Sequence, residues 1–192
     1  MIRQEPSLPQ IARYTRPAIW LHWLVAALII INTALAWSAD HWPDEWVRPV
    51  IDTHKSIGIT VLGLALMRAL WRATHRPPAL PSSYARWEQT VSHVAHGALY
   101  VLIFAMPLSG WLHDSAWKLA PTHPMFLFGW IPWPRIAFIA GLEPDLKERL
   151  HSLLFLFHIG FAYALYALLA LHVLGALKHQ FFDREPELQR MM

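Results

Sequence analysis

The chain has 192 residues, of which 55% are hydrophobic and 15% charged, with a formal net charge of +3 and no cysteine. A soluble domain carries about 25% charged residues. The composition therefore excludes a soluble globular enzyme, a disordered chain and a disulfide scaffold. The lack of cysteine also excludes Cys-ligated zinc and iron–sulfur sites, which leaves twelve histidines as candidate nitrogen ligands.

Four apolar segments are long enough to cross a hydrocarbon core of about 30 Å at about 1.5 Å per helical residue. They are predicted as helices over about residues 17–37, 54–72, 91–112 and 150–177. The second contains Lys55 and Arg68 near its ends, where long side chains can reach the headgroups. The sequence predicts an all-α membrane protein, a four-transmembrane-helix bundle that forms one domain over residues 1–192.

The first apolar segment is predicted to be a retained anchor, not a signal peptide. It is too long for a secretory apolar region, and residues 37–40 show no small-residue cleavage pattern. With both termini on one side of the membrane, that side holds ten Lys and Arg residues and the other side holds six. The excess predicts cytoplasmic termini, so the net charge is a topology signal and no nucleic-acid partner is expected.

The loop between the third and fourth helices, residues 113–149, is predicted to lie on the outer side. Its stretch from Pro124 to Ile136 contains aromatic residues between prolines, which predicts no regular helix. Trp and Tyr concentrate at membrane interfaces, so we expect a capping loop anchored in that zone. The alternative is a lid that controls access to a site beneath it.

Four histidines can be matched in depth across the bundle. His158 and His172 are 14 residues apart on the fourth helix, which is about 3.9 turns, so they share one face about 21 Å apart along the axis. His22 lies near the cytoplasmic end of the first helix and His54 at the outer end of the second. His54 can therefore meet His158, and His22 can meet His172.

Two stacked His–His pairs in a four-helix bundle predict two bis-imidazole haems, one near each membrane surface. Copper or zinc would require three or four ligands per site. Small residues on the second and fourth helices are expected to leave room for flat macrocycles, or simply to allow close helix packing; they are Gly58, Gly63, Gly160 and Gly175. The alternative for each histidine alone is a hydrogen-bonded packing residue.

The sequence resembles the bacterial cytochrome b561 family over nearly its whole length. The matching motifs are Arg13-Tyr14-Thr15-Arg16, Leu21-His22-Trp23, His54-Lys55-Ser56-Ile57-Gly58, Arg68 with Arg72, His93 with His96, Tyr100, Pro107, Gly110-Trp111, Leu171-His172, Ala176, Lys178-His179 and Arg190-Met191. The resemblance implies two b-type haems, one ligated by His22 and His172 and the other by His54 and His158. It also implies a multi-pass protein of the bacterial inner membrane.

Bis-His ligation leaves no open coordination position, which favours electron transfer over oxygen chemistry. The family resemblance implies oxidation of superoxide at the outer face and reduction of ubiquinone in the membrane. Lys55 is the candidate residue for attracting the anion, and Arg16, Arg68 and Arg72 are candidates for pairing with haem propionates or for holding helix ends. An inner quinone pocket is predicted at Tyr14, Arg16, Lys178 and His179, with His179 as proton donor.

The remaining histidines have less specific expectations. His93 and His96 either bond a haem propionate or each other, or are ordinary helix-end residues. His113 and His151 are expected at the outer interface, and His41, His75 and His123 in loops.

Two other functions remain open. In one, the protein is a haem-bearing membrane anchor that passes electrons between quinol and a partner oxidoreductase subunit. In the other, the histidines form a proton relay in a haem-free transporter, which four short-looped helices without a broken-helix pair disfavour.

Overall fold

The computed structural model describes residues 12–81 and 83–192. Helices α1 (Arg16–Ser38), α2 (Asp44–Thr74) and α3 (Arg86–Ser115) come first in the chain. A hairpin of β1 (Phe126–Leu127) and β2 (Ile131–Pro132), a short α4 (Ala137–Ala140) and the long α5 (Pro144–Phe181) follow. α1, α2, α3 and α5 are each long and apolar enough to cross a membrane, which confirms the predicted four-helix membrane fold.

The four long helices extend beyond the apolar segments that predict them. α2 begins at Asp44 and not near residue 54, and α5 begins at Pro144 and not at residue 150. Asp44 and Glu45 lie in the first turn of α2, where acidic side chains interact favourably with the helix dipole. Hydropathy therefore marks the membrane-crossing part of each helix, whereas polar residues carry the helix further.

The bundle packs in sequence order, with α1 against α2, α2 against α3, and α3 against α5. Ala65 of α2 is completely buried among Leu102, Ile103 and Leu165, and its small side chain lets the backbones approach closely. A second cluster joins Val25 of α1 to residues of α2. Large apolar side chains point outward around the bundle, as a lipid-facing surface requires; examples are Ile30, Leu70, Val101, Leu156 and Leu174.

Residues at the start of α1 and the C-terminal residues meet at one end of the bundle, which we call the inner end. The backbone N–H of Tyr14 donates to the carbonyl of Arg190 at 3.0 Å, and Trp23 Nε1 donates to the carbonyl of Met191 at 2.7 Å. The buried Arg190 guanidinium donates to the carbonyls of Pro78 and Ala79. The C-terminal residues thus fasten the start of α1 to the α2–α3 connection.

Residues 124–136, which we call the outer cap, close the opposite end and contain no helix, as their prolines predict. The hairpin turns through Phe128 and Gly129, both with positive φ, and glycine adopts this conformation without strain. Met125 and Leu127 pack on Ile59 of α2. The cap therefore belongs to the packed structure, although Trp130 at its tip is 74% exposed.

Candidate functional site

The four depth-matched histidines form two pairs. The ring centroids of His22 and His172 are 6.2 Å apart at the inner end, and those of His54 and His158 are 6.2 Å apart towards the outer cap. The inner pair joins α1 to α5 and the outer pair joins α2 to α5. Within residues 12–81 and 83–192, neither helix combination belongs to the closely packed ones. The structure therefore brings together the pairs that the sequence predicts.

The separation within each pair fits two axial ligands of one metal ion. An imidazole nitrogen binds a transition metal at about 2.0–2.1 Å, so two ligands on opposite sides place their nitrogens about 4 Å apart. Adding about 1.1 Å from each nitrogen to its ring centre gives a centroid distance of about 6.3 Å. The stacked rings of His113 and His151 are only 3.9 Å apart, which is the spacing of imidazoles in direct contact.

Backbone carbonyls orient both histidines of the outer pair. Nδ1 of His54 lies 3.0 Å from the carbonyl oxygen of Asn32, and Nδ1 of His158 lies 3.1 Å from that of Met106. A carbonyl only accepts, so Nδ1 carries the proton and Nε2 is the nitrogen left to bind a metal. Ligating histidines usually donate their other N–H in this way. Ser109 Oγ also lies near this nitrogen, 3.0 Å from Nδ1 of His158.

Gly110 provides the space for the His158 ring. A Cβ at this position would lie 3.0 Å from Cε1 of His158, closer than side-chain atoms normally approach. By contrast, a Cβ at Gly63, Gly160 or Gly175 would meet no atom within 4 Å, and the nearest atom at Gly58 would be 3.8 Å away. The sequence singles out those four glycines, whereas the glycine whose missing side chain matters most to a histidine is Gly110.

The inner pair has different neighbours. No hydrogen-bond partner reaches the buried Nδ1 of His22 in the described part of the chain. The His172 ring meets His96 edge-on, with a centroid distance of 5.2 Å. Nδ1 of His96 donates to the Ser92 carbonyl at 2.7 Å. His96 thus belongs to the inner site, while its neighbour His93 is exposed.

Two arginines accompany the inner pair. The guanidinium groups of Arg68 and Arg72 lie 5.3 and 5.5 Å from the ring centre of Tyr100. Arg68 is near enough to His22 and His172 to act on both electrostatically. Among the described residues neither arginine forms an ion pair, so both remain able to bind carboxylates. Arg16 begins α1 and is exposed.

Lys55 does not reach outward as an isolated interfacial cation. Its side chain is 18% exposed, and Nζ lies 2.7 Å from Asp114 and 3.2 Å from Asp52. Arg135 from the outer cap binds the other oxygen of Asp114 at 2.8 Å. We call Asp52, Lys55, Asp114 and Arg135 the outer ion cluster. Sequence reasoning missed the roles of Asp114 and Arg135, although an aspartate ending an apolar helix is a signal that a partner is near.

Lys178 and His179 lie in a polar junction at the inner end. Lys178 forms ion pairs with Glu88 and Asp183. His179 Nδ1 lies 2.6 Å from an Asp183 oxygen, and its ring stacks on Tyr84 at 4.0 Å. The hydrogen bond from Lys178 lowers the pKa of Asp183, which keeps this carboxylate ionised beside the histidine.

The other two predicted quinone residues lie at the same end but are connected indirectly. No hydrogen bond or ion pair joins Tyr14 or Arg16 to Lys178 or His179 within the described ranges. Tyr14 instead contacts Arg190. Arg190 binds Glu187 at 3.0 Å, and Glu187 accepts a hydrogen bond from Tyr84. Burial, together with this hydrogen bond, raises the pKa of Tyr84. The C-terminal residues therefore connect Tyr14 to Tyr84, whose ring stacks on His179.

The remaining histidines contact neighbours away from the two pairs. His113 and His151 each place Nδ1 3.0 Å from the other's backbone carbonyl, which locks α3 to α5. His75 stacks on Trp71, and His123 lies against Trp117. His41 is exposed.

Comparison with known proteins identifies the family of this chain. Residues 13–192 match the family model described as prokaryotic cytochrome b561. The chain is 32% identical to cytochrome b561 homolog 2 of Escherichia coli K12, over 94% of this chain and 91% of the relative. It is 27% identical to the probable superoxide oxidase CybB of Yersinia pestis, over 94% and 96% of the two chains. The chain therefore belongs to the prokaryotic cytochrome b561 family of bacterial membrane proteins, which transfer electrons on haem b.

Proposed function

We propose that the chain binds two b-type haems and transfers electrons from superoxide at its outer end to ubiquinone within the membrane. His22 and His172 would hold one haem, and His54 and His158 the other. The observation that carries the proposal is the common 6.2 Å separation of the two histidine pairs. Each haem iron supplies reversible one-electron exchange between its ferric and ferrous forms.

The protein's own contribution is to fix the ligands and exclude other chemistry. The Asn32 and Met106 carbonyls orient the outer rings and leave Nε2 as the ligating nitrogen. Ligation by two histidines would leave no coordination position for oxygen, so the group would supply electron transfer without bond formation. Arg68 and Arg72, which have no carboxylate partner among the described residues, are placed to neutralise propionates of the inner group.

The proposed direction runs from the outer to the inner end. The Lys and Arg count of ten against six supports cytoplasmic termini and an outer cap on the periplasmic side of the inner membrane. Superoxide as donor is supported by the relative named as a probable superoxide oxidase, at 27% identity. Two superoxide ions would release two electrons and two molecules of O₂. One quinone would take up these electrons with two protons to form the quinol.

The outer ion cluster offers a local attraction for an anion. Lys55 and Arg135 share the single buried carboxylate of Asp114, while Asp52 is partly satisfied by Arg48. Arg48 and the four residues of the outer ion cluster together carry three positive and two negative charges. Lys55, directly after His54 in the chain, would thus act as part of a net positive group.

At the inner end, His179 would supply a proton to the quinone. Asp183 accepts a hydrogen bond from Nδ1 and so orients the imidazole ring, which leaves Nε2 as the nitrogen that would exchange a proton with the quinone. Lys178 would hold Asp183 in place, and Tyr14 and Arg16 would border the pocket from α1. The structure of the Asp183 junction supports this proton role for His179 more directly than it supports the part of Tyr14 and Arg16.

The test is to mix the purified protein with a superoxide source and a short-chain ubiquinone. We expect superoxide to reduce the haem and quinone to reoxidise it, with quinol as product. In His179→Gln, haem reduction should proceed normally and quinol formation should slow at least tenfold. His75→Gln, which alters a loop histidine of the inner end, is the matched control. Loss of haem in His179→Gln would instead show that this residue supports the haem site.

The same assay separates the alternatives. Haem that superoxide does not reduce, or that no quinone reoxidises, would favour a membrane anchor that serves a partner oxidoreductase. A haem-free proton-relay transporter disagrees with membership of a haem-b family.

A further inference from the structure

A pocket of about 520 Å³ lies between the outer cap, α4 and the first turns of α5. Pro121, Pro124, Met125 and Phe126 form much of its apolar wall. None of its eleven lining residues is acidic, and the nitrogen-bearing side chains among them are those of Trp133, Arg135 and Lys147. The pocket is separate from the two histidine pairs, although Arg135 links it to the outer ion cluster.

All three nitrogen-bearing side chains are donors whose hydrogen-bonding capacity is incompletely used. Lys147 is 8% exposed, and Nζ donates to the carbonyl of Ala140, which also lines the pocket. Lys147 has no carboxylate partner among residues 12–81 and 83–192. In the same ranges, Arg135 Nη2 and Trp133 Nε1 are buried without a hydrogen-bond partner.

Burying these donors costs free energy unless an acceptor binds to them. A buried ammonium with one carbonyl is poorly compensated, because burial removes the water that would otherwise solvate the charge. Arg135 cannot supply the missing negative charge, and its own carboxylate partner Asp114 is shared with Lys55. The complementary ligand is therefore an anion with several acceptor oxygens, such as a phosphate group.

The surroundings favour a lipid phosphate over a free one. Phe126 is on the pocket wall and 40% exposed, and nearby Trp130 and Phe138 are 74% and 79% exposed. Exposed Trp side chains concentrate at the level of lipid headgroups, and the two exposed Phe rings add apolar surface beside Trp130. We infer that the pocket binds the head group of an anionic phospholipid, with the phosphate at Lys147 and the acyl chains against the exposed aromatic residues.

The binding test uses the purified full-length protein in detergent, titrated with dioctanoyl phosphatidylglycerol and followed by native mass spectrometry. We expect one saturable site, bound at least tenfold more weakly in Lys147→Met and restored in Lys147→Arg. Lys118→Met, which removes an exposed cation elsewhere in the same loop, should bind like the unchanged protein. Haem content and elution volume serve as checks that each variant is folded.

Two further ligands separate the sources of the phosphate. Dioctanoyl phosphatidylcholine, which has the same phosphate and chains but no net charge, should bind at least tenfold more weakly. Inorganic phosphate should not compete at millimolar concentration. Equal binding of both lipids, or equal binding by Lys147→Met and Lys118→Met, would overturn the proposal. Competition by inorganic phosphate that depends on Lys147 would overturn the lipid assignment and identify a free-anion site. None of these outcomes depends on the electron-transfer proposal.

Discussion

The outer and inner histidine pairs have the same ring separation but are held by different means. At the outer pair, two backbone carbonyls fix the Nδ1–H groups of His54 and His158. At the inner pair, Nδ1 of His22 has no partner among the described residues, while Arg68 and the His96 ring lie close by. One site is thus organised by hydrogen bonds to its ligands and the other by nearby side-chain charge and ring contact.

This difference has a consequence for electron affinity. A ligand that donates a hydrogen bond to a carbonyl becomes a stronger electron donor and stabilises the oxidised metal. Positive charge nearby stabilises the reduced state, because reduction removes one positive charge from the iron. Positive charge lies beside both pairs, Lys55 at the outer one and Arg68 at the inner one. The hydrogen-bond difference therefore separates the two sites, and it should give the inner site the higher reduction potential. An electron that enters at the outer end would then move energetically downhill to the inner end.

Removing one ligand from each pair should empty the two proposed haem sites one at a time. His158→Ala should lose the outer haem and His172→Ala the inner one, so bound haem should fall from two to one per chain in each variant. Haem extraction with pyridine and redox titration of the remaining centre measure both quantities. His123→Ala, a loop histidine, should retain two. Loss of both haems from either variant would mean that the two sites do not fold independently.

Removing one charge beside the inner pair should change the reduction potential of that site without removing a haem. Arg68→Gln should lower the reduction potential of the inner haem by tens of millivolts, because it removes a positive charge that stabilises the reduced state. A shift of about 59 mV corresponds to a tenfold change in a one-electron equilibrium. The outer potential should stay unchanged. Arg86→Gln removes an exposed cation from the same end of the bundle and is the control. If the outer potential falls as much as the inner one, Arg68 does not belong specifically to the inner site.

The smallest expected effect is confined to the outer pair. Gly110→Ala would place a Cβ 3.0 Å from Cε1 of His158, so the ring must shift by a few tenths of an ångström. We expect a moderate fall in outer haem occupancy or a change in its spectrum, with the inner haem unaffected. Gly97→Ala is the matched control on α3, because a Cβ there meets no atom within 4 Å. Equal changes in both variants would point to a helix effect instead of a ligand effect.

The sequence predicts the two histidine pairs because the depth of a residue in the membrane follows from its position along its helix. Helix direction and the rise per residue suffice to match His22 with His172 and His54 with His158. Contacts between elements that are distant in sequence require the third dimension. The pairing of Asp114 with Arg135 spans 21 residues and depends on how the outer cap folds back. The contact of His96 with His172 depends on helix rotation, which apolar periodicity does not define in helices that are hydrophobic all round.

The contacts of the predicted quinone residues likewise depend on the three-dimensional fold. Lys178 and His179 are neighbours in the sequence. The sequence does not show that Asp183 accepts a hydrogen bond from His179 or that the Tyr84 ring stacks on it. Tyr14 lies just before α1 and Arg16 begins it, so both belong to the same end of the bundle. The connection of Tyr14 to His179 nevertheless runs through Arg190, Glu187 and Tyr84. Two of these residues belong to the C-terminal segment, whose path has no periodic pattern.

The angle between the two imidazole planes of each pair should affect the magnetic spectrum of a bound haem. The planes cross at 83° in the outer pair and 66° in the inner pair. Crossed rings donate π-density into two different iron d orbitals, whereas parallel rings both raise the same one. With bis-His ligation the two orbitals would be nearly degenerate at the outer iron and more widely split at the inner one. Orbital angular momentum would then be less quenched at the outer iron. Its low-spin ferric form would have the more anisotropic electron paramagnetic resonance, which distinguishes the two centres without mutation.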